Sequence, residues 1–468
     1  MRRGSGRHMN MVRYALTIGT TAGFLFGATG AARAEAPVAV VSNTDAPASG
    51  AGRKLSLEQA LALARRSNRS LVVERSLVAQ ANVSLEQAYN VLFPTISVQG
   101  KYTRNNTAVA FPNFLATPGA PAGETKYIQP LNQWDGAANV QTLLFAPAVY
   151  SGLKAVKSGV GAAEENMKAS EESILFTVAQ SFYAAAVADE VLVARDSNIA
   201  VAKATLDTAR TRFGAGTVTK LDVDRAEIAL LRAEQAKREA ELARAQSYRA
   251  LATLIEAEGP FQVAPPAHTF DADQTDTLGN DLGSVLQLRP EFRALGAVAE
   301  QAELQRKADA WRWAPSISAF GNARIFNYYN FALQQHSWAV GATFDWVIYD
   351  GGSRDSDRHL QVAKVTEAMA RQQVLRESIR DDIANGKLQV RTKHQAQLTA
   401  ERSVGLAQES VDLTRTQYEA GSATQIDVLQ AQDALVEAQD ALARAHFDVA
   451  LSDLTLRRAA GTFPSDQR

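Results

Sequence analysis

The chain has 468 residues, and its 49 Lys and Arg against 50 Asp and Glu exclude the strongly basic surface that nucleic-acid binding requires. It contains no cysteine, which excludes disulfides, thiolate metal sites, cysteine nucleophiles and a lipid attached to an N-terminal cysteine. Nucleotide-binding and nucleophile motifs are missing and the six histidines are scattered, so we predict no enzyme activity, no catalytic residue, no cofactor and no metal site.

The N-terminus has the three parts of a secretory signal peptide. A basic segment precedes a mildly apolar stretch over residues 14–32, which ends in the small-x-small site Ala32-Arg33-Ala34. We therefore predict a signal peptide over residues 1–34, with an uncleaved membrane anchor as the alternative, and no transmembrane helix after it. Residues 35–54 are rich in Ala, Pro, Ser and Gly, which is typical of a flexible segment.

Two long segments of the chain have the same pattern. Pro94-Thr95-Ile96-Ser97 corresponds to Pro315-Ser316-Ile317-Ser318, and the Leu221-Asp222-Val223 segment corresponds to Ile426-Asp427-Val428. Repeats of this length are not those of a solenoid. The pattern predicts an internal duplication, with a first structural repeat over 55–255, an inter-repeat linker over 256–281, a second repeat over 282–461 and a C-terminal tail over 462–468.

Each predicted repeat begins with a helix and continues with two strands, 95–104 and 134–145 in the first repeat and 316–326 and 338–349 in the second. Apolar and polar residues alternate in them, as in strands of a transmembrane β-barrel, whereas a soluble sheet with one wet face is the alternative. Four strands cannot close a barrel, and open edges are not tolerated in lipid, so an oligomer is required. The aromatic side chains expected at the membrane interface are Tyr102, Trp134, Trp338 and Trp346.

Long segments rich in Ala, Leu, Glu and Gln follow the strands and predict a helical hairpin in each repeat. The turns are predicted at 213–219 and 419–424, where Gly216 and Gly421 can adopt the left-handed conformation. In the last helix Val428, Leu435 and Leu442 are seven residues apart, which indicates coiled-coil packing.

These features resemble the TolC-like outer-membrane efflux proteins over most of the mature chain. The resemblance rests on the duplication, the strands led by Pro94 and Pro315, the Val347-Ile348-Tyr349-Asp350-Gly351-Gly352 segment, and the Tyr-x-x-Gly-x-x-x-x-x-Asp-Val pattern at 418–428. It implies an α+β membrane protein in which a homotrimer forms a twelve-stranded outer-membrane β-barrel, with four strands per chain, in contact with outer-membrane lipid. A long periplasmic α-helical coiled-coil barrel would continue it as a tunnel.

The same resemblance implies a function and its site residues. The chain would be the exit duct of a tripartite efflux pump for drugs or other small molecules, joined by a periplasmic adaptor (membrane fusion) protein to an inner-membrane transporter. The adaptor would dock on hairpin-tip residues Gly216, Thr217, Gly421 and Ser422. Exit duct for type I protein secretion is one alternative, and a soluble periplasmic coiled-coil scaffold is another.

A periplasmic gate is implied at Asp222, Asp427 and Tyr418, with Tyr418 bonding across to Asp222. TolC has a second gate aspartate where this chain has Gln430, and a linking arginine where it has Ala423, so we expect a weaker gate. The alternative for both aspartates is a helix-capping role, because an acidic side chain in the first turn is stabilised by the helix dipole.

Overall fold

The computed structural model of the chain describes residues 53–110, 126–264 and 272–463. These residues fall in the unit Gly52–Arg468. The predicted signal peptide lies outside the described residues, as do most of the predicted N-terminal flexible segment and residues 464–468 of the predicted tail.

The first half of the described chain contains a short strand, two helices, a group of strands and a long helical hairpin. In order these are β1 (Arg53–Leu55), α1 (Leu57–Ser67), α2 (Arg69–Asn90), β2 (Thr95–Arg104), β3 (Val109–Ala110), β4 (Tyr127–Gln129), β5 (Asn132–Phe145), α3 (Pro147–Gly214) and α4 (Lys220–Ile255).

The second half has a similar order after a short connection. Its elements are β6 (Phe261–Val263), α5 (Ala272–Thr277), α6 (Leu282–Leu288), α7 (Pro290–Ala310), a 3-10 turn (Trp311–Trp313), β7 (Ser316–Phe326), β8 (His336–Asp345), α8 (Ser353–Glu419) and α9 (Gln425–Ala459).

The single helix predicted at the start of each repeat is broken into two. Asn68 separates α1 from α2, where its side-chain oxygen accepts from the Ser70 backbone N–H at 2.9 Å and its amide donates to Leu254 O at 2.8 Å. Pro290, at the first position of α7, makes the corresponding break because it has no N–H to continue α6.

Other predicted boundaries differ from the structure, and the second and fourth strands of the sheet each begin two residues earlier than predicted. Residues 53–54 were expected in the flexible segment and 261–263 in the linker, but β1 and β6 pair there as a parallel ladder. The strand expected over 338–349 ends at Asp345, because its neighbour β7 begins at Ser316 and offers no partner beyond that residue. Phe463, expected in the tail, is buried and meets the ring of Phe176 edge-on at 6.0 Å.

Strands β2, β5, β7 and β8 form one antiparallel sheet in that order, which leaves β2 and β8 at its edges. The pairing register places the apolar positions of all four strands on one face, for instance Val98, Ala138, Ala323 and Trp338 in one row. Several of these side chains are exposed in the chain, among them Ile96, Val98, Trp338 and Val340.

The opposite face of this sheet is mostly polar. It carries Ser97, Asn139 and Asn322 in one paired row and Gln99 two residues along β2. Leu143, Phe320 and Phe326 are apolar exceptions. The ring of Phe320 lies over Gly341 on the neighbouring strand, where an added Cβ would come within 2.9 Å of it. The sheet therefore has one face suited to lipid and one suited to water.

The largest buried cluster lies where α1, α3, α4 and α9 meet the β1–β6 pair. Its fully buried members include Leu175, Phe182, Leu251 and Ile255. A second cluster joins α6, α8 and α9 around Ile379 and Leu456. Both clusters lie far along the chain from the hairpin turns, where the middle of α3 and α8 meets the ends of α4 and α9 that are remote from the turns.

Among the described residues one helix, α3, is long and apolar enough to cross a membrane by length and composition, although the sequence predicted none. Side chains of this helix, including Leu175, Val178 and Phe182, are packed in the largest core cluster. In the single chain 39% of the apolar window of this helix is buried.

Candidate functional site

The candidate site consists of the two hairpin turns, which we call tip one (residues 213–219) and tip two (residues 419–424). Gly216 and Gly421 have φ values of +78° and +81°, a conformation that glycine adopts without steric cost. Thr217 donates its backbone N–H to Arg212 O at 3.0 Å, and Ser422 donates its own to Gln417 O at 2.9 Å. The two tips therefore close by the same helix-ending arrangement.

The four residues predicted to receive an adaptor lie on the surface of these tips. Gly216, Thr217, Gly421 and Ser422 are all exposed. The hydroxyls of Thr217 and Ser422 also donate to the carbonyls of Arg212 and Gln417, each at 3.0 Å. These side chains thus stabilise the turns and leave the backbone of the tips accessible.

Asp222 and Asp427 cap the helices that leave the tips. Asp222 Oδ2 accepts from Thr219 N at 3.0 Å and from its hydroxyl at 2.8 Å, and Asp427 Oδ2 accepts from Thr424 N and Oγ1 at 2.7 and 2.6 Å. The hydrogen bonds from the Thr424 side chain and backbone lower the pKa of Asp427. Both carboxylates are half-buried. Their hydrogen bonds to Thr219 and Thr424 are those of helix caps.

Tyr418 does not bond to Asp222 within the chain. Tyr418 is 6% exposed, and its hydroxyl oxygen is buried with no hydrogen-bond partner among the described residues. Asp222 instead has Arg225 at 3.8 Å in addition to its contacts with Thr219. Within a single chain Tyr418 is held by another contact.

That contact is made by Arg212, a residue that the sequence analysis did not single out. Its guanidinium donates to Tyr418 O at 2.7 Å and to Glu419 O at 2.8 Å, and it lies 4.4 Å from the centre of the Tyr418 ring. A cation at the last carbonyls of α8 also faces the negative end of that helix dipole. We call this set of contacts the Arg212 clamp, and it ties tip one to tip two.

The sequence carried a signal for the clamp that was not used. Arg212-Phe213 in the first half corresponds to Gln417-Tyr418 in the second, so the arginine occurs only in the first copy and the tyrosine only in the second. Gln425, the first residue of α9, is also buried, with neither amide atom partnered among the described residues. Of the two family departures, Gln430 is exposed and Ala423 half-buried.

Between the tips and the core, polar contacts join α3 to α9, and we call this line the seam. Its rungs are Glu190 with His446 at 3.2 Å, Arg195 with Asp440 at 2.5 Å, and Thr205 with Gln432 at 2.8 Å. Residue numbers rise along α3 as they fall along α9, as expected for antiparallel neighbours. The seam holds the two hairpins side by side.

The four predicted interface aromatics lie at the sheet and are at least 47% exposed. Tyr102 and Trp134 face each other on β2 and β5 at the loop end of the sheet. Trp338 is the third residue of β8, on the same face. Trp346 lies beyond the end of β8, where its Nε1 donates to Trp313 O at 3.2 Å.

The chain matches known sequences of one family. The profile of the Outer membrane efflux protein family matches residues 60–256 and 282–462. The outer membrane efflux protein BepC of Brucella suis biovar 1 (strain 1330) is 23% identical over 282 residues. That alignment covers 59% of this chain and 61% of BepC, so it spans less than two thirds of the relative.

Solved structures of outer membrane channels share the fold. The CmeC outer membrane channel of Campylobacter jejuni superposes with a TM-score of 0.72 at 19% identity, covering 87% of this chain and 85% of that one. The Neisseria gonorrhoeae MtrE outer membrane channel, solved in its open state, gives a TM-score of 0.69 at 20% identity, covering 86% and 88%. The fold of the described residues is therefore that of an outer membrane channel subunit.

Proposed function

The chain belongs to the outer membrane efflux protein family, and from this membership we propose that three copies form the exit channel of a tripartite efflux pump for drugs or other small molecules. The protein is located in the outer membrane, and its helices extend into the periplasm. A periplasmic adaptor would join it to an inner-membrane transporter, which would supply the energy for transport.

The observation that carries this proposal is the sheet with one exposed apolar face, from which each half of the chain continues into a long helical hairpin. In the single chain β2 and β8 have unpaired edges, which a hydrocarbon environment does not tolerate. Three copies that pair β8 of one with β2 of the next would close twelve strands, with the polar face lining the channel. The 68 residues of α3 would continue the wall for about 100 Å.

We assign the gate of this channel to the hairpin tips. Asp222 and Asp427 from three chains would place six carboxylates near one constriction, which is enough to select ions by charge. Tyr418 would take part through the Arg212 clamp, which fixes the position of tip two relative to tip one. The exposed tip residues Gly216, Thr217, Gly421 and Ser422 would form the adaptor-docking surface.

Single-channel recording of the purified protein in planar bilayers tests the channel and its gate together. We expect a cation-selective conductance from a species with the mass of three chains. Replacing Asp222→Asn and Asp427→Asn removes the charge but keeps a capping oxygen, so we expect cation selectivity to fall by about half or more without loss of the trimer. The matched control is Asp224→Asn, since Asp224 is an exposed residue on the same helix as Asp222.

Two outcomes would count against the proposal. Recovery of the protein from the soluble fraction, without need for detergent, would exclude the channel. A trimer whose selectivity is the same in the double variant and in the control would retain the channel but leave both aspartates with the capping role alone.

A further inference from the structure

A cavity of about 590 Å³ lies between α3 and α9, at the end of the seam nearest the core. It is bordered by α3 from Tyr183 to Val193 and by α9 from His446 to Ala450, with Val263 of β6 and Gln397 of α8 completing the wall. A volume in this range suits a small organic molecule. Nothing in the proposed channel function requires a cavity at this place.

The walls of the cavity are mainly apolar and are held by the core. Tyr183 is 2% exposed and Ala450 is 6% exposed, and both belong to the largest core cluster, against which Phe447 also packs. Val187 adds another apolar surface, whereas Val193 at the rim is 70% exposed. The inner end of the cavity is therefore preformed, and its outer end is open.

The lining contains the carboxylates of Asp189 and Glu190 and the imidazole of His446. Asp189 is already engaged, since it accepts hydrogen bonds from Arg244 and Tyr248 on α4. Among the described residues Glu190 contacts His446, at 3.2 Å, and its side chain is 46% exposed. No Lys or Arg lines the described cavity, so Glu190 is the carboxylate available to a ligand.

We propose that this cavity binds a small aromatic or alkyl-substituted ammonium cation, with Glu190 as its counter-ion. The apolar part of the ligand would lie against Val187, Phe447 and Ala450. The faces of aromatic rings attract cations, and Tyr183 and Phe447 supply two such rings in the wall. The ligand cation would replace the contact that Glu190 otherwise makes with His446.

Isothermal titration of the full-length protein in a neutral detergent tests this site. The probe is benzyltrimethylammonium, and phenylmethanesulfonate is the probe control, since it is of similar size but opposite charge. We expect saturable binding of the cation and none of the anion. Glu190→Gln should weaken cation binding about tenfold, because an ionic contact is lost while the cavity keeps its shape.

Two further variants sharpen the test. His446→Gln removes the competing imidazole, so cation binding should be equal or tighter. Glu437→Gln changes an exposed acid on α9, the helix of His446, and the affinity for the cation should stay as in the unmodified protein. The inference is overturned if the cation does not saturate, if cation and anion bind alike, or if Glu190→Gln binds as the unmodified protein does. Channel conductance, recorded for each variant, reports separately on folding and on the proposed function.

Discussion

At the scale of the residue, Glu172 on α3 is the carboxyl group whose surroundings oppose its charge. Burial, and then the neighbouring Glu291, raise its pKa from 4.5 to about 7 against the opposing effects of Arg289, Arg458 and Arg293. Between pH 4.5 and about 7 the folded state therefore holds a proton on Glu172 that the unfolded chain has released. The contribution of protonated Glu172 to the free energy of unfolding is fully present below pH 4.5 and is lost as the pH rises toward about 7.

We expect Glu172→Gln, which resembles the protonated form, to be more stable than the unmodified protein at pH 8. After allowance for solvent screening the gain should be about 1–2 kcal/mol, and it should vanish near pH 4.5. The midpoint of thermal unfolding, measured from pH 4.5 to 8, checks this. The control is Glu164→Gln, an exposed site on the same helix. An equal pH dependence in Glu172→Gln and the unmodified protein would contradict the assignment.

At the scale of the element, helix ends in this protein are fixed by arginines from distant segments. Arg212 donates to the last carbonyls of α8, and Arg289 donates to Ala459 O at 3.0 Å and Arg458 O at 3.2 Å at the end of α9. In each case a cation satisfies carbonyls that have no partner within the helix and lies at the negative end of its dipole. The two long helices of the second half are thereby tied at their C-terminal ends to other elements.

Replacing Arg212→Gln should release tip two, because the amide cannot reach both carbonyls or stack as a cation on Tyr418. Hydrogen bonds from a charged donor contribute about 1.5–3 kcal/mol, so amide exchange over residues 416–424 should quicken by about tenfold or more. Hydrogen-exchange mass spectrometry measures this.

The matched control for the Arg212 clamp is Arg210→Gln. Arg210 is on the same helix turn, and its contact is an exposed pair with Glu227 at 3.8 Å. Exchange at tip two should remain unchanged in this variant. Equal exchange in both variants would show that the clamp does not hold tip two.

At the scale of the whole molecule, the faces of the sheet decide where the chain meets lipid. The register unites apolar positions from strands in both halves of the sequence on one face, and Val98 is 82% exposed there. Its neighbour Ser97 points to the opposite, polar face. In the proposed trimer the first face contacts lipid and the second lines the channel.

Val98→Arg should therefore impair insertion into the outer membrane, whereas Ser97→Arg should be tolerated. An arginine on the lipid face near the bilayer midplane costs about 2–4 kcal/mol, but an arginine in a watery lumen costs little. The amount of trimer in the outer-membrane fraction, measured by gel migration without heating, checks this. If Ser97→Arg alone impairs insertion, the lipid face and the channel face are the reverse of this assignment. If both variants impair it equally, the assignment of the faces is contradicted.

Features that depend on neighbours in the chain could be predicted from the sequence. The alternation after Pro94 and Pro315 coincides with the starts of β2 and β7 at Thr95 and Ser316. Gly216 and Gly421 adopt the left-handed conformation proposed for the hairpin turns. Periodicity and turn chemistry act within a few residues, so they are legible without knowledge of packing.

Contacts between distant segments were decided only by the tertiary structure. The Arg212 clamp joins residues 206 apart, and the β1–β6 pair brings the linker beside the start of the described chain. The strand was predicted to run to residue 349, but β8 stops at Asp345 because pairing requires a neighbour and β7 begins at Ser316, opposite that residue. The sequence alone thus determined the long helices, the starts of the strands after Pro94 and Pro315, and the hairpin turns. Packing decided their partners and the short elements between them, since a partner's position is set by the fold and not by the local pattern.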